Sequence, residues 1–149
     1  MLVLFGGGLS LANAVQQTGL AEWIGSALSG LSAWPVLFVA VAVTTVVIFL
    51  TELTSNTATA AAFLPVVAAI ATGMGADPLQ LAVPTALAAS CAFMMPVATP
   101  PNAIVYGSGR ITIPQMARAG LLLNIISVAV ITAVVFGLVP YILPTTGAR

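Results

Sequence analysis

Lysine and histidine are absent from this 149-residue sequence, cysteine occurs once, and charged residues make up 4% of it. Each shortage excludes something. Without His, and with Cys91 as the sole thiol, no familiar zinc or disulfide arrangement can be assembled. Cys91 lies in the small apolar run Ala88-Ala89-Ser90-Cys91-Ala92 and reads as a packed structural thiol. Three acids (Glu22, Glu52, Asp77) balance three arginines (Arg110, Arg118, Arg149). A net charge of zero gives no footprint for nucleic acid and no electrostatic membrane anchor. Six charges also cannot clothe a soluble domain of this size. An intramembrane enzyme using Cys91 or Ser55 as nucleophile would lack a histidine base, and the charged residues are not arranged as partners. The chain does not read as an enzyme.

What is present is apolar. Residues of the AVILMFWYC set make up 60% of the sequence, and the mean hydropathy is +1.18. The stretches between charges are long enough to reach across or deep into a bilayer. The expectation is an all-α integral membrane protein. The start imitates a secretory signal, with Ala12-Asn13-Ala14 resembling a cleavage site. No Lys or Arg precedes the apolar stretch, however, and Gly6-Gly7-Gly8 interrupts it. Residues 2–15 instead read as the end of a truncated membrane helix. Residues 19–31, with Glu22, Trp23 and nearby Trp34, read as an interfacial amphipathic piece. Together they form a first unit, 1–31.

A second unit, 32–76, carries more information. Trp34-Pro35 opens an apolar run of about 16 residues to Leu50, and a second of about 14 runs from Ala58 to Ala71. Between them lies Thr51-Glu52-Leu53-Thr54-Ser55-Asn56-Thr57. Both runs fall short of the roughly 20 residues a spanning helix needs. Two short legs and a polar tip predict a re-entrant helical hairpin. The alternative is two short spanning helices joined by a surface loop, though that loop would be unusually rich in hydroxyls.

In the third unit, 77–110, an apolar stretch from Leu79 to Val97 meets Ala98-Thr99-Pro100-Pro101-Asn102. Two adjacent prolines remove two backbone donors, so a continuous helix cannot pass. A short helical piece, Ala103 to about Tyr106, follows before Gly107-Ser108-Gly109-Arg110. This predicts one discontinuous transmembrane helix. The last unit, 111–149, reads as a cytoplasmic loop and a final span from Gly120 to Leu143. Arg110 and Arg118 place that loop inside by the positive-inside rule, which puts the hairpin opening and the C-terminus outside.

Non-helical backbone survives at membrane depth only where protein buries it or it lines a wet cavity. Ser55, Asn56 and Thr57 are N-cap types placed before the second hairpin leg. Pro100 or Pro101 sits where a first-turn proline is favoured. Each break thus aims a positive helix N-terminus at a common region, suited to an anion, and a negative C-terminus suited to a cation such as sodium. That is the device of secondary transporters with broken helices. The absence of Lys, Arg and His at both breaks favours an ion-coupled carrier over an arginine-lined pore. The plainer alternative is that these hydroxyls and amides serve only as glue between helices.

The segment Thr51-Glu52-Leu53-Thr54-Ser55-Asn56-Thr57-Ala58-Thr59 resembles the second repeat of the divalent-anion/sodium symporters. So does Pro96-Val97-Ala98-Thr99-Pro100-Pro101-Asn102-Ala103-Ile104-Val105-Tyr106-Gly107-Ser108-Gly109. These are the sodium/dicarboxylate, citrate and sulfate carriers. Leu4-Phe5-Gly6-Gly7-Gly8-Leu9 and the spacing of about forty residues between the two motifs also match, so the resemblance covers essentially the whole chain. It implies the C-terminal one of two inverted repeats, with a re-entrant hairpin and a broken transmembrane helix. The complete protein would be an elevator-type secondary transporter, usually dimeric, in the inner cell membrane. By resemblance, Ser55, Asn56 and Thr57 would contact substrate carboxylates, with Thr99 and Pro100 beside them. Thr51, Thr54, Asn56 and Ala98 would form a sodium site, partly through main-chain oxygens.

The family's first repeat, with its own Ser-Asn-Thr tip, is not in this sequence. The expected function is therefore half of a sodium-coupled carrier of small dianions (di- or tricarboxylates, or sulfate), inactive without its N-terminal repeat. The alternatives are an exchanger or proton-coupled carrier of the same family, or a structural membrane subunit. Glu52 is left between tuning the site and holding the hairpin by hydrogen bonding.

Overall fold

The computed structural model describes residues 34–142 and isolated positions before Trp34, with side-chain surroundings given as far as Leu138. Most of the expected helix end at 2–15, most of the interfacial piece at 19–31 and Arg149 lie outside the described residues. Five helices follow in order: α1 Val36–Thr51, α2 Asn56–Gly73, α3 Leu79–Ala88, α4 Pro100–Gly107 and α5 Ile113–Ile142. All regular structure among the described residues is helical.

The helix boundaries follow from local chemistry. Pro35 precedes α1, where a missing N–H costs nothing. Glycine ends α2. Gly75 adopts φ +70°, its N–H reaches Thr72 O, and the N–H of Ala76 reaches Ala71 O. This paired closure needs a left-handed residue that only Gly adopts cheaply. At the start of α5 the N–H and hydroxyl of Thr112 both donate to Gln115 Oε1, at 2.9 and 3.0 Å. That is half of a capping box, and it starts the last helix at Ile113, earlier than the apolar run alone indicates. The expected loop after Arg110 is correspondingly short, and Arg118 rides on α5.

Two apolar clusters hold the helices together. Val39 and Ala40 of α1 meet Val67 and Ala71 of α2 and Leu81 of α3. Val47 and Ile48 of α1 meet Ala88, Ala89, Ile131 and Val135. The short helix α3 thus packs against both legs, α1 and α2, and against α5. Much of the outer surface of α5 remains apolar and exposed, including Leu122, Ile125, Ile126 and Val130. Such a surface suits lipid or further protein rather than water. Two helices, Asn56–Gly73 and Ile113–Leu138, are long and apolar enough to cross a membrane. The former is longer than the run counted from sequence because it takes in Asn56, Thr57, Thr72 and Gly73.

Helix stops sooner after Leu79 than the sequence indicates: α3 ends at Ala88, and residues 89–99 are irregular before α4 begins at Pro100. Pro96 contributes to this, because proline disfavours helix at the preceding residue. The backbone groups of Ala92 to Met95 also find partners outside any helix, described below.

Leu81 is fully buried and Leu87, on the same helix, is 45% exposed. Leu81→Ala is expected to destabilise the protein by about 2–5 kcal/mol and Leu87→Ala by well under half of that. Thermal unfolding of both variants in detergent checks the order.

Candidate functional site

The polar tip is built at the junction of α1 and α2. Thr51 is the last residue of α1 and is fully buried. Its hydroxyl lies 2.7 Å from Asn56 Oδ1 and 2.9 Å from the carbonyl oxygen of Ala89. One hydroxyl proton faces two acceptors, so one oxygen of the three is always left unserved. Half a turn of the Asn56 amide would offer Thr51 an N–H instead and satisfy the cluster internally. Oxygen donors from a hydroxyl, an amide and a main-chain carbonyl are what a hard monovalent cation accepts.

The start of α2 is open. Ser55 is its N-cap, in extended conformation, and its side chain makes no capping bond. The first bond to the cap is from Thr59 N to Ser55 O, at 2.8 Å. The N–H groups of Asn56, Thr57 and Ala58 therefore have no partner among the described residues, as expected of a first turn. Ser55 is exposed, and Asn56 and Thr57 are half-buried. Free donors, an unspent hydroxyl and the positive end of an 18-residue helix are chemically suited to an anion.

The start of α4 is different. Thr99 caps it, accepting from Asn102 N at 3.4 Å, with prolines at the first two positions. Pro100 and Pro101 carry no N–H, so α4 presents a dipole but almost no free donors. The two helix starts therefore differ in the donors they present, because the prolines at the start of α4 carry no N–H.

Between these helix starts runs the irregular segment 89–95, held from several sides. Glu52 is 4% exposed. Its Oε1 accepts from Phe93 N at 2.7 Å, Met94 N at 2.9 Å and Asn124 Nδ2 at 2.9 Å. Its Oε2 accepts from Met94 N at 3.0 Å and Met95 N at 3.1 Å. Three successive backbone N–H groups around an anion form a nest. On the carbonyl side, Asn102 Nδ2 donates to Ala92 O at 2.8 Å and Met95 O at 3.1 Å. Behind the segment, α5 makes an unusually close approach. A Cβ placed on Gly120 would lie 2.5 Å from Met94 Cα and from the Phe93 carbonyl, so only glycine fits there. Asn124, which reaches Glu52, lies one turn further along the same face.

Of the residues singled out from sequence, Thr51 and Asn56 are brought together. Ser55 and Thr57 stand at the open helix start beside them. Thr54 turns elsewhere, its hydroxyl 2.9 Å from Leu50 O and 2.6 Å from Thr59 Oγ1. The Ala98 amide closes a turn onto Met95 O. No hydrogen bond among the described residues joins Thr54, Ala98, Thr99 or Pro100 to the Thr51–Asn56 pair. The main-chain oxygen that does meet Thr51 is that of Ala89. Neither Ala89 nor Asn102 was singled out from sequence. Asn102 was findable, since it ends the Thr-Pro-Pro-Asn motif, but nothing in the sequence marks the Ala89 carbonyl. Elsewhere, a groove of about 550 Å³ between α1 and α5, lined by Thr45, Phe49, Asn124, Val128 and Thr132, is too apolar to suit a dianion.

Helix ends that meet at polar side chains within an all-helical apolar chain recur in membrane transport proteins. The family profile described as the sodium:sulfate symporter transmembrane region matches residues 1–142. The chain belongs to this divalent anion:sodium symporter family. It is 48% identical over 143 residues to the sodium-dependent dicarboxylate transporter SdcS of Staphylococcus saprophyticus, covering 96% of this chain and 28% of that protein. The SdcS of Staphylococcus aureus strain MRSA252 matches with the same identity and coverage. The chain thus spans 28% of the length of these relatives.

Gly120→Ala is expected to destabilise the protein by more than about 2 kcal/mol, because the atoms in the way are backbone. Gly137, with open space around its Cβ position, serves as the control. Gly137→Ala should leave stability unchanged or raise it by up to about 1 kcal/mol, since Ala favours helix. Paired thermal melts decide it.

Proposed function

We propose that this chain is a C-terminal part of a sodium-coupled secondary transporter of small dianions, meaning di- or tricarboxylates or sulfate. The single observation that carries this is the pairing of an open α2 start with the oxygen cluster of Thr51, Asn56 and Ala89. The dianion would sit against Ser55, Asn56 and Thr57, taking the free N–H groups and the Ser55 hydroxyl. Thr99 and Pro100 would border it from the start of α4. Sodium would take the Thr51 and Asn56 oxygens, with main-chain oxygens completing the site. Thr54 and Ala98 belong to that set if the tip rearranges around the ion.

Coupling follows from charge. Neither helix break carries Lys, Arg or His, so helix dipoles and a bound cation must balance the substrate's two negative charges. Each makes the other's binding more favourable, which is reciprocal linkage. The hairpin 32–76 would be re-entrant and the segment 77–110 a broken span. The complete carrier would add an N-terminal inverted repeat, work as a homodimer with an elevator-type motion and reside in the inner cell membrane. Its C-terminus would lie outside. The dicarboxylate named for the SdcS relatives makes succinate the first substrate to try.

Proteoliposomes test this reading. The complete carrier, with both repeats, is expected to take up labelled succinate only with external sodium, and this chain alone is expected to take up none. Asn56→Ala and Thr99→Ala should each lower uptake by about tenfold or more while the protein still assembles. Unchanged uptake in both variants would establish a structural role for the two motifs instead. Uptake indifferent to sodium would replace symport with exchange or proton coupling.

A further inference from the structure

The two motifs do not hydrogen-bond to each other directly among the described residues, except through the segment between them. Glu52 of the first motif grips the N–H groups of Phe93, Met94 and Met95. Asn102 of the second grips the carbonyls of Ala92 and Met95. The same segment begins at Ala89, whose carbonyl meets Thr51. From behind, Gly120 admits the segment against α5, and Asn124 supplies the fourth donor to Glu52. The carboxylate is thus buried, hydrogen-bonds neither to the open start of α2 nor to the Thr51 cluster, and grips the segment that begins at the Ala89 carbonyl.

We propose that Glu52 is a positioning residue for sodium coupling. Through the Phe93–Met95 amides it holds the Ala89 carbonyl on Thr51, so the oxygen cluster is assembled before the ion arrives. This rests on the sodium-coupled reading above. An oxygen site held in place binds more tightly than one that must first be ordered, because the ordering cost is already met. The negative charge is essential to the grip. A glutamine in the same place turns an N–H toward the Met94 and Met95 N–H groups, so donor faces donor. It also replaces charge-assisted bonds, about twice as strong as neutral ones, with neutral bonds.

Such a role moves sodium affinity and leaves substrate binding at saturating sodium nearly alone, since the donors at the start of α2 do not depend on Glu52. In the complete carrier, Glu52→Gln is expected to raise the sodium concentration for half-maximal uptake about tenfold, as loss of one charge-assisted bond would. The half-saturating dianion concentration, measured at saturating sodium, should change by less than about threefold. Glu52→Asp, which keeps the charge on a shorter stem, should recover part of the shift. Amide hydrogen exchange at Phe93–Met95 should speed up in Glu52→Gln, and sodium should slow it less than in the wild type.

An assembled Glu52→Gln carrier with an unchanged sodium requirement overturns the proposal. Should that variant fail to assemble, Asn124→Leu decides. It removes one of four donors and is expected to raise the sodium requirement about threefold, and no shift overturns the proposal equally. If the wild-type carrier shows no sodium-dependent uptake, the transport reading fails by itself. Exchange at Phe93–Met95 then tests the grip alone, and unchanged rates in Glu52→Gln overturn it.

Discussion

A buried carboxylate with no cation beside it organises this chain. Glu52 has 4% of its surface exposed, and no basic residue is paired with it among the described residues. A charge in that position costs several kcal/mol unless its lone pairs are fully met. Three successive backbone N–H groups and one side-chain amide meet them. Those backbone groups cannot also serve a helix, so the chain from Ala89 to Thr99 stays irregular. The end of α3, to which Pro96 also contributes, and the close approach at Gly120 accompany this one set of bonds, and the proposed hold on the Ala89 carbonyl works through it.

With the segment fixed, the two helix starts take unequal parts. The start of α2 keeps its N–H groups and the Ser55 hydroxyl unspent. The start of α4 has given up two N–H groups to proline and shares its third with Thr99. On the proposed reading, anion contacts by donation would fall to α2, and α4 would contribute shape and the positive end of a short dipole. Neither break carries a fixed positive charge. On the proposed reading, a dianion there would depend on a cation bound nearby, which is the physical content of coupling.

The sequence made much of this legible, and its failures have physical causes. Composition and run lengths located the helices, and capping chemistry located both polar interruptions. Thr51 and Asn56 are grouped only through the family resemblance, which also names Thr54 and Ala98. The role of Glu52 was not readable between its two alternatives, because its partners lie 41 to 43 residues away in backbone atoms and 72 away at Asn124. Backbone donors leave no mark in side-chain identity. The early end of α3 was hidden for the same reason, since Ala89 to Met95 is as apolar as any helix. Pro96 was its one visible sign. The last helix starts early because Thr112 and Gln115 cap it, a signal lying just outside the apolar run.

The account's central claim is that a dianion occupies the start of α2 and that sodium makes it stay. The most direct measurement is the reactivity of a thiol placed there, using Ser55→Cys in the complete carrier with Cys91 and other native cysteines removed. Labelling by a small maleimide should be slowed by sodium and dicarboxylate together, and by neither alone. Equal labelling under all four conditions would contradict the claim, because Ser55 could not then border a sodium-dependent binding site.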